Sequence, residues 1–286
     1  MSGFSADWLR LREPADAAAR DASLVALHSR PEITIVDLGA GSGANLRYMA
    51  PRLGGAQTWT LVDNDTALLA AATTATVQWA AALGADEGAE LGDENRSFTT
   101  RVTMRELDLA RDLAALELPR GALVTSSALL DLVSARWLDD LAQRCAAAGA
   151  PVLFALIYDG RTTCEPAEPE DAEALALFNR HQLGDKGFGP ALGPAAARAA
   201  EQAFASLGYR TETRASDWRL EPRDAALQRA LVDGWLGAAL ELAPQRAAML
   251  RGWHRRRLEH VEQGRSRIGV GHADVAGQPP SADRSS

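Results

Sequence analysis

Ile33-Thr-Ile-Val-Asp37-Leu-Gly39-Ala-Gly41-Ser-Gly43-Ala-Asn45 is the stretch on which the fold turns. A β-branched, apolar run ends in an acid, and glycine then stands at every second position. Asn45-Leu-Arg-Tyr-Met-Ala follows with helical character. The whole reads as strand, tight turn and helix N-terminus. Glycine permits the turn and lets a ligand approach bare backbone. Open α/β sheets bind nucleotides at such loops, at the carboxyl ends of their strands. A second strand, Thr58-Trp-Thr-Leu-Val-Asp63, also ends in an acid, placed to accept hydrogen bonds from both hydroxyls of a ribose.

The alternation extends outward. Residues 33–38, 43–52, 58–63 and 66–83 run strand, helix, strand, helix, with Asp65 or Thr66 as the cap of the last. Residues 84–97 are rich in Gly, Asp and Glu and read as a solvated loop. A third strand is expected near 99–107 and a fourth at Ala122-Leu-Val-Thr-Ser126. An amphipathic helix from Arg136 to Ala148 leads to a buried fifth strand, Pro151-Val-Leu-Phe-Ala-Leu-Ile-Tyr158. Such alternation implies a mainly parallel sheet. After Tyr158 the regularity breaks. Residues 159–193 surround a short helix near 170–180, and helix 194–207 stops at Gly208. A sixth strand begins at Tyr209. Two helices, 222–241 and 244–263, are separated at Pro244 and precede a last strand, Ile268 to Val275. At the other end, residues 5–29 have helix patterning, with Pro14 opening a second helix.

Val36-Asp37-Leu38-Gly39-Ala40-Gly41-Ser42-Gly43 resembles motif I of the class I S-adenosylmethionine (SAM) methyltransferases, and Leu61-Val62-Asp63 resembles their motif II. Glu106-Leu107-Asp108-Leu109 and the segment Ala122 to Asp131 fall where motifs III and IV are expected. The resemblance covers residues 30–160, and the rest only by element order. It implies an α/β fold: a doubly wound, Rossmann-like, seven-stranded, mostly parallel sheet whose sixth and seventh strands are antiparallel, with helical insertions forming a cap. The chain then divides into an N-terminal helical lid (1–32), a SAM-binding core (33–160), substrate-side insertions with the last strands and C-terminal helices (161–275), and a disordered tail (276–286).

The resemblance also assigns residues. Gly39, Gly41 and Gly43 would cradle the methionine part of SAM, with Ala40 a further cofactor contact and Asp37 beneath the loop near the SAM amino group. Asp63, with Asn64 and Asp65 as second choices, would bind the ribose. Asp108 would accept from the adenine amino group, with the Leu109 amide on a ring nitrogen. Ser126 or Ser127, and Asp131, would line the mouth after the fourth strand. Arg12 and Arg20 are placed to approach the SAM carboxylate from the lid, since guanidinium matches carboxylate bidentately; a solvated helix face is the alternative.

On the acceptor side the densest polar and aromatic cluster is Phe178-Asn-Arg-His181-Gln-Leu-Gly-Asp185-Lys186-Gly-Phe188. His181 is a candidate base, because its ordinary pKa lies near neutrality. Lys186, the only lysine, is placed to pair with a substrate anion, and Tyr158 is a further substrate contact. A loop merely docked by Phe178 and Phe188 is the plainer reading. Arg246, Arg251, Arg255, Arg256 and Arg257 read as a charged helix face offset by Glu259 and Glu262, and His272 with Asp274 as a structural pair.

Composition narrows the function. The net charge of −8 opposes nucleic acid as a partner. Two cysteines, Cys145 and Cys164, suit a reducing compartment. No signal peptide or apolar run of membrane-spanning length is read, so a cytoplasmic protein without membrane contact is expected. No metal-ligand spacing is present. The reading is a SAM-dependent methyltransferase acting on an O- or N-acceptor in a small or medium-sized molecule, with a homodimer left open. Two alternatives stand beside it. Gly39-x-Gly41-x-x-Ala44 also satisfies the dinucleotide fingerprint of an NAD-linked oxidoreductase, and a catalytically silent SAM-binding partner protein would need the same core.

Overall fold

The computed structural model describes residues 5–83, 91–93 and 96–280. In chain order the elements are α1 (Ala6–Ala19), α2 (Ala22–Ala26), β1 (Glu32–Leu38), α3 (Ala44–Leu53), β2 (Gly55–Asp63), α4 (Thr66–Ala82), β3 (Leu91–Asp93), β4 (Arg96–Glu106), β5 (Leu123–Ser127), α5 (Ala135–Ala148), β6 (Val152–Glu165), α6 (Asp171–Gln182), α7 (Ala196–Ser206), β7 (Arg210–Ala215), β8 (Trp218–Leu220), α8 (Ala225–Leu242), α9 (Ala247–Glu262) and β9 (Arg267–Gln278).

One sheet runs in the order β3-β4-β2-β1-β5-β6-β9-β7, with β8 also paired to β9. Strands β4, β2, β1, β5 and β6 are mutually parallel. β9 lies antiparallel to β6, β7 and β8. The expected seven-stranded order is therefore present, with the antiparallel pair at its edge, and two short strands enlarge the sheet to nine. β3 falls inside the stretch read as a solvated loop; residues 84–90 and 94–95 of that loop lie outside the described residues.

The central strands are buried on both faces, as parallel strands covered by helices must be. Ile33, Ile35, Leu123 and Leu153 join Leu46, Met49 and Trp59 on one side. Val36, Leu38, Val124 and Phe154 meet Trp137, Leu141 and Phe204 on the other. A third cluster lies beyond the sheet's carboxyl edge. There Trp235 of α8 and Trp253 of α9 pack with Trp218, Ile268 and Val270, and Trp8, Leu11, Ala15 and Ala19 of α1 lean against them. The two late helices and the lid thus share a core.

Two expectations need correction, and one alternative is resolved. Pro14 opens no helix; it lies inside α1, which Ser5 caps through Trp8 N and which runs on to Ala19. A proline there forgoes one helical hydrogen bond, and the apolar face buried in the third cluster offsets that loss. β9 continues to Gln278, so the tail expected from residue 276 begins in paired strand, where Ala276 pairs with Leu153 and with Glu212. Residues 281–286 lie outside the described residues. Asp65 alone caps α4, its Oδ1 accepting from the amides of Ala67 and Leu68.

His272 and Asp274 do not pair with each other. The Asp274 Oδ1 accepts the amide of Leu156 at 2.8 Å, and the His272 ring lies edge-on to Tyr158 and tilted against Trp218 with its Nδ1 unpartnered. Burial holds the His272 pKa down at about 3, from 6.5. The unfolded chain therefore takes up this proton first as pH falls, and the folded state loses stability between pH 6.5 and 3. His272→Phe should flatten that acid limb. From pH 7 to 5 wild type should lose about 2 kcal/mol more than the variant, as 1.36 kcal/mol per pKa unit requires, measured by urea unfolding at each pH.

Candidate active site

The loop after β1 places Gly39, Gly41 and Gly43 at positive φ (63°, 52° and 77°), a region that costs L-residues energy and glycine none. At Gly41 a Cβ would also stand 2.9 Å from Leu9 Cδ1 of the lid, so that side chain would have to shift. The backbone here is bare on the side that faces a cavity of about 430 Å³, within the range of small-molecule and cofactor sites. Its walls come from the carboxyl ends of β1, β2, β4 and β5, and from α1 and the segment 185–188.

Each strand end contributes an acid or a hydroxyl. Asp63 closes β2, and its two oxygens accept from the amides of Gly41 (2.8 Å) and Asp65 (3.0 Å). Each carboxylate oxygen has two acceptor sites, so Asp63 both holds the glycine loop and keeps capacity toward the cavity. Beneath the loop, Asp37 is fully buried and accepts from Asn45 Nδ2 at 2.7 Å, while its Oδ2 has no partner. Burial raises its pKa to about 7. Asn45, which the sequence reading left without a role, is the hub here. It also donates to Thr125 Oγ1 at 3.2 Å and accepts from Arg20 Nη1 at 2.8 Å. Its signal was available: it stands two residues after the last glycine, in the first turn of α3. Asp108 turns its Oδ1 to the Ala110 amide at 3.0 Å. The Leu109 carbonyl is fixed by Trp137 Nε1 at 2.7 Å. After β5, Ala128 holds a positive φ of 54°, an unusual and strained value for a residue with a side chain, at the cavity wall.

The lid meets this floor through Arg12 and Asp16. Arg12 donates twice to Asp16, at 2.9 and 3.1 Å, and Trp218 Nε1 adds a third hydrogen bond at 3.0 Å. The Arg12 guanidinium also lies 5.0 Å from the centre of a Trp218 ring. Asp16, also unforeseen, thus ties α1 to β8.

Of the residues singled out from sequence, Asp37, Gly39, Ala40, Gly41, Asp63, Asn64, Asp108, Leu109, Ser127, Arg12 and Lys186 converge on the cavity. Five do not. Ser126 points into the sheet with its Oγ buried and unpartnered, because neighbouring residues on a strand face opposite ways. Arg20 lines an adjoining cavity of about 500 Å³ that shares Asp16, Ala44, Asn45 and Ser127 with the first. Asp131 does not line the first cavity; burial raises its carboxyl to about 6, and its Oδ1 has no partner. Tyr158 donates to Asn179 Oδ1 at 2.6 Å within the third cluster. His181 also stands off the wall, its ring held between Lys186 and Glu241. The late helices α8 and α9 contribute no wall residue. Their arginines pair chiefly across the fold: Arg246 with Glu173, Arg256 with Glu168 and Glu170, and Arg257 with Asp171, while Arg255 alone meets Glu259 of its own helix.

Among the described residues, no cluster of three or more His, Cys, Asp or Glu side chains is arranged to hold a metal, and no helix is long and apolar enough to cross a membrane. The strand order and the loop define a Rossmann-like α/β architecture with a cavity at the carboxyl edge of its sheet. No protein-family model and no curated protein matches the chain. Among solved structures, a cyclopropane synthase from Mycobacterium tuberculosis is similar over 96% of this chain and 94% of its own, at 13% identity and TM-score 0.47. A geranyl diphosphate C-methyltransferase from Streptomyces coelicolor A3(2), determined with Mg²⁺, geranyl diphosphate and S-adenosylhomocysteine, covers 91% and 79% at 14% identity and TM-score 0.44. An arsenic(III) SAM methyltransferase from Chlamydomonas reinhardtii covers 95% and 74% at 17% identity and TM-score 0.42. Likenesses at this distance leave the activity to be argued from the site itself.

Proposed function

We propose that the cavity binds S-adenosylmethionine and that the protein transfers its methyl group to a small molecule. The observation that carries this is Asp63. Its carboxylate is bonded to the Gly41 amide, so the ribose-binding acid and the glycine loop form one rigid unit at the cavity floor. The remaining residues fit the same ligand. Asp108 and the Leu109 amide stand where an adenine edge needs an acceptor and a donor. Ser127 and the Gly39–Gly41 backbone face the span between them. The partnerless Asp37 Oδ2 and the partnerless Nε and Nη2 of Arg20 lie beneath the end that would hold the amino acid moiety. Buried polar groups without partners cost about 1–3 kcal/mol each, and a zwitterion or ordered water at this end would satisfy them.

When bound, the cofactor supplies an electrophilic sulfonium methyl, and the protein's own task is positioning, which alone can lower a barrier by several kcal/mol. Here Asp63, Asp108 and the loop fix the nucleoside. Arg12, held by Asp16 and Trp218, closes the lid over the methionine end. Ala128 and Leu129 press the wall against Gly39, where Leu129 Cδ1 would lie 3.3 Å from an added Cβ. Lys186 and Phe188 line the acceptor's side of the cavity. Nucleic acid is not the acceptor in this reading: the charge is −8, and four of the five late arginines are paired with acids.

Calorimetry with S-adenosylhomocysteine and with NAD tests the proposal. Binding of the first and not of NAD is expected; tight NAD binding would replace it with the oxidoreductase reading. Turnover with any acceptor separates an enzyme from a silent binding protein. Gly41→Val should reduce S-adenosylhomocysteine affinity by more than tenfold. The positive φ alone costs a β-branched residue about 1–2 kcal/mol, and the new side chain stands between loop and lid. Unchanged affinity in this variant would place the ligand elsewhere.

A further inference from the structure

Lys186 is the only lysine in 286 residues, and it stands at the cavity wall. Its Nζ lies 3.2 Å from His181 Nδ1, and His181 Nε2 lies 2.9 Å from Glu241 Oε2. An ammonium only donates, so Nδ1 accepts, and the ring proton sits on Nε2 and is donated to Glu241. The row is thus cation, neutral ring, anion, with the cation toward the cavity and the anion toward solvent. One ammonium proton is spent on His181 and two remain. The segment that carries it is anchored: Asp185 Oδ1 accepts the amides of Gly187 (2.7 Å) and Gly189 (3.0 Å), and Phe188 meets Trp137 edge-on at 5.4 Å.

The acids around this end are already engaged. Asp16 takes Arg12 and Trp218, Asp185 takes its own loop amides, and Asp63 takes the Gly41 and Asp65 amides. Asp131 faces both Arg12 and Lys186 electrostatically but does not itself line the cavity. Arg12 gives two of its five donors to Asp16. Two protons of Lys186 and the remaining donors of Arg12 therefore leave spare cationic donors at the cavity wall, in a protein whose net charge is −8.

We infer that the acceptor carries an oxyanion, a carboxylate or a phosphate, that pairs with the Lys186 ammonium, and that His181 and Glu241 position that ammonium. This rests on the methyltransferase reading for the word acceptor, but the anion site can be tested without turnover. Lysine labelled with ¹³C at Cε gives a single side-chain resonance in the full chain. S-adenosylhomocysteine affinity is measured first by calorimetry, and its failure counts against the cofactor reading alone. Benzoate and inorganic phosphate are then titrated separately into the sample. A saturable shift of the Lys186 resonance is expected with one of them, and which one responds identifies the oxyanion. His181→Gln and Glu241→Gln should each weaken that binding by about tenfold, the worth of one hydrogen bond to a charged group, with S-adenosylhomocysteine affinity unchanged as the sign of an intact fold. Lys186→Arg should retain anion binding by calorimetry and Lys186→Gln should lose it. Absence of a saturable shift with both anions overturns the inference. An unweakened shift in both the His181 and Glu241 variants removes those two residues from the site.

Discussion

Asp63→Ala is expected to weaken S-adenosylhomocysteine binding by about 1.5–3 kcal/mol, the range for hydrogen bonds to a charged group, which is roughly ten- to 150-fold in affinity. Two effects act together. The ribose would lose its acceptors, and the Gly41 and Asp65 amides would lose theirs. Asp63→Asn separates them, because one oxygen remains to hold the Gly41 amide while the charge is gone. Its loss should fall between wild type and alanine. Calorimetry on the three proteins decides: equal affinities would remove Asp63 from the ligand and leave it a loop brace only.

The second large effect concerns stability. Asp37 is the deepest acid of the site, and burial raises its pKa to about 7 from 3.8. Between those values the folded state holds a proton that the unfolded chain has given up, so this group makes the fold less stable as pH rises through the window. Asp37→Asn keeps the shape and removes the titration. At low pH the amide offers little, since its NH₂ replaces an oxygen that had no partner. From pH 5.5 to 8.5 the variant should gain about 2 kcal/mol on wild type, from about 1.5 pKa units at 1.36 kcal/mol each. Asp131, raised to about 6, and His28, lowered to about 4, are common to both proteins and cancel in the comparison. Urea midpoints at the two pH values measure the difference. A constant gap would mean that Asp37 is ionised throughout, with a water or ion at its free oxygen. The variant should also bind S-adenosylhomocysteine less well, an instance of a site retained at a cost in stability.

The architecture was legible because it is written in local chemistry. β-branched, apolar runs ending in Asp37 and Asp63, and glycines at every second position between strand and helix, read as strand, turn and helix N-terminus from the local residues alone. Together with the apolar runs at 122–126 and 151–158 they placed β1, β2, β5 and β6; nine wall residues of the cavity came from the family resemblance they carry, and Arg12 and Lys186 from their own chemistry. The choice between Ser126 and Ser127 stayed open because it depends on one register, which pairing β5 with both β1 and β6 settled.

The acceptor side was legible as composition but not as geometry. His181 and Lys186 were both expected at the acceptor, yet only Lys186 lines the cavity. Lys186 reaches the wall because the 185–190 segment folds back on the Asp185 carboxylate, and His181 is turned away because Glu241, sixty residues on in α8, claims its ring. Tyr158 was drawn off by Asn179, and Pro14 was absorbed into α1 by packing against Trp218 and its neighbours. Asn45 and Asp16 gained their roles from partners brought close only by the fold, Thr125 and Trp218. What the sequence by itself determined is the sheet, the glycine loop and the acids at its strand ends, since each follows from the backbone preferences of a few adjacent residues. What the tertiary structure alone decided is which polar side chains face the cavity, because that depends on long-range hydrogen-bond competition that no local spacing encodes.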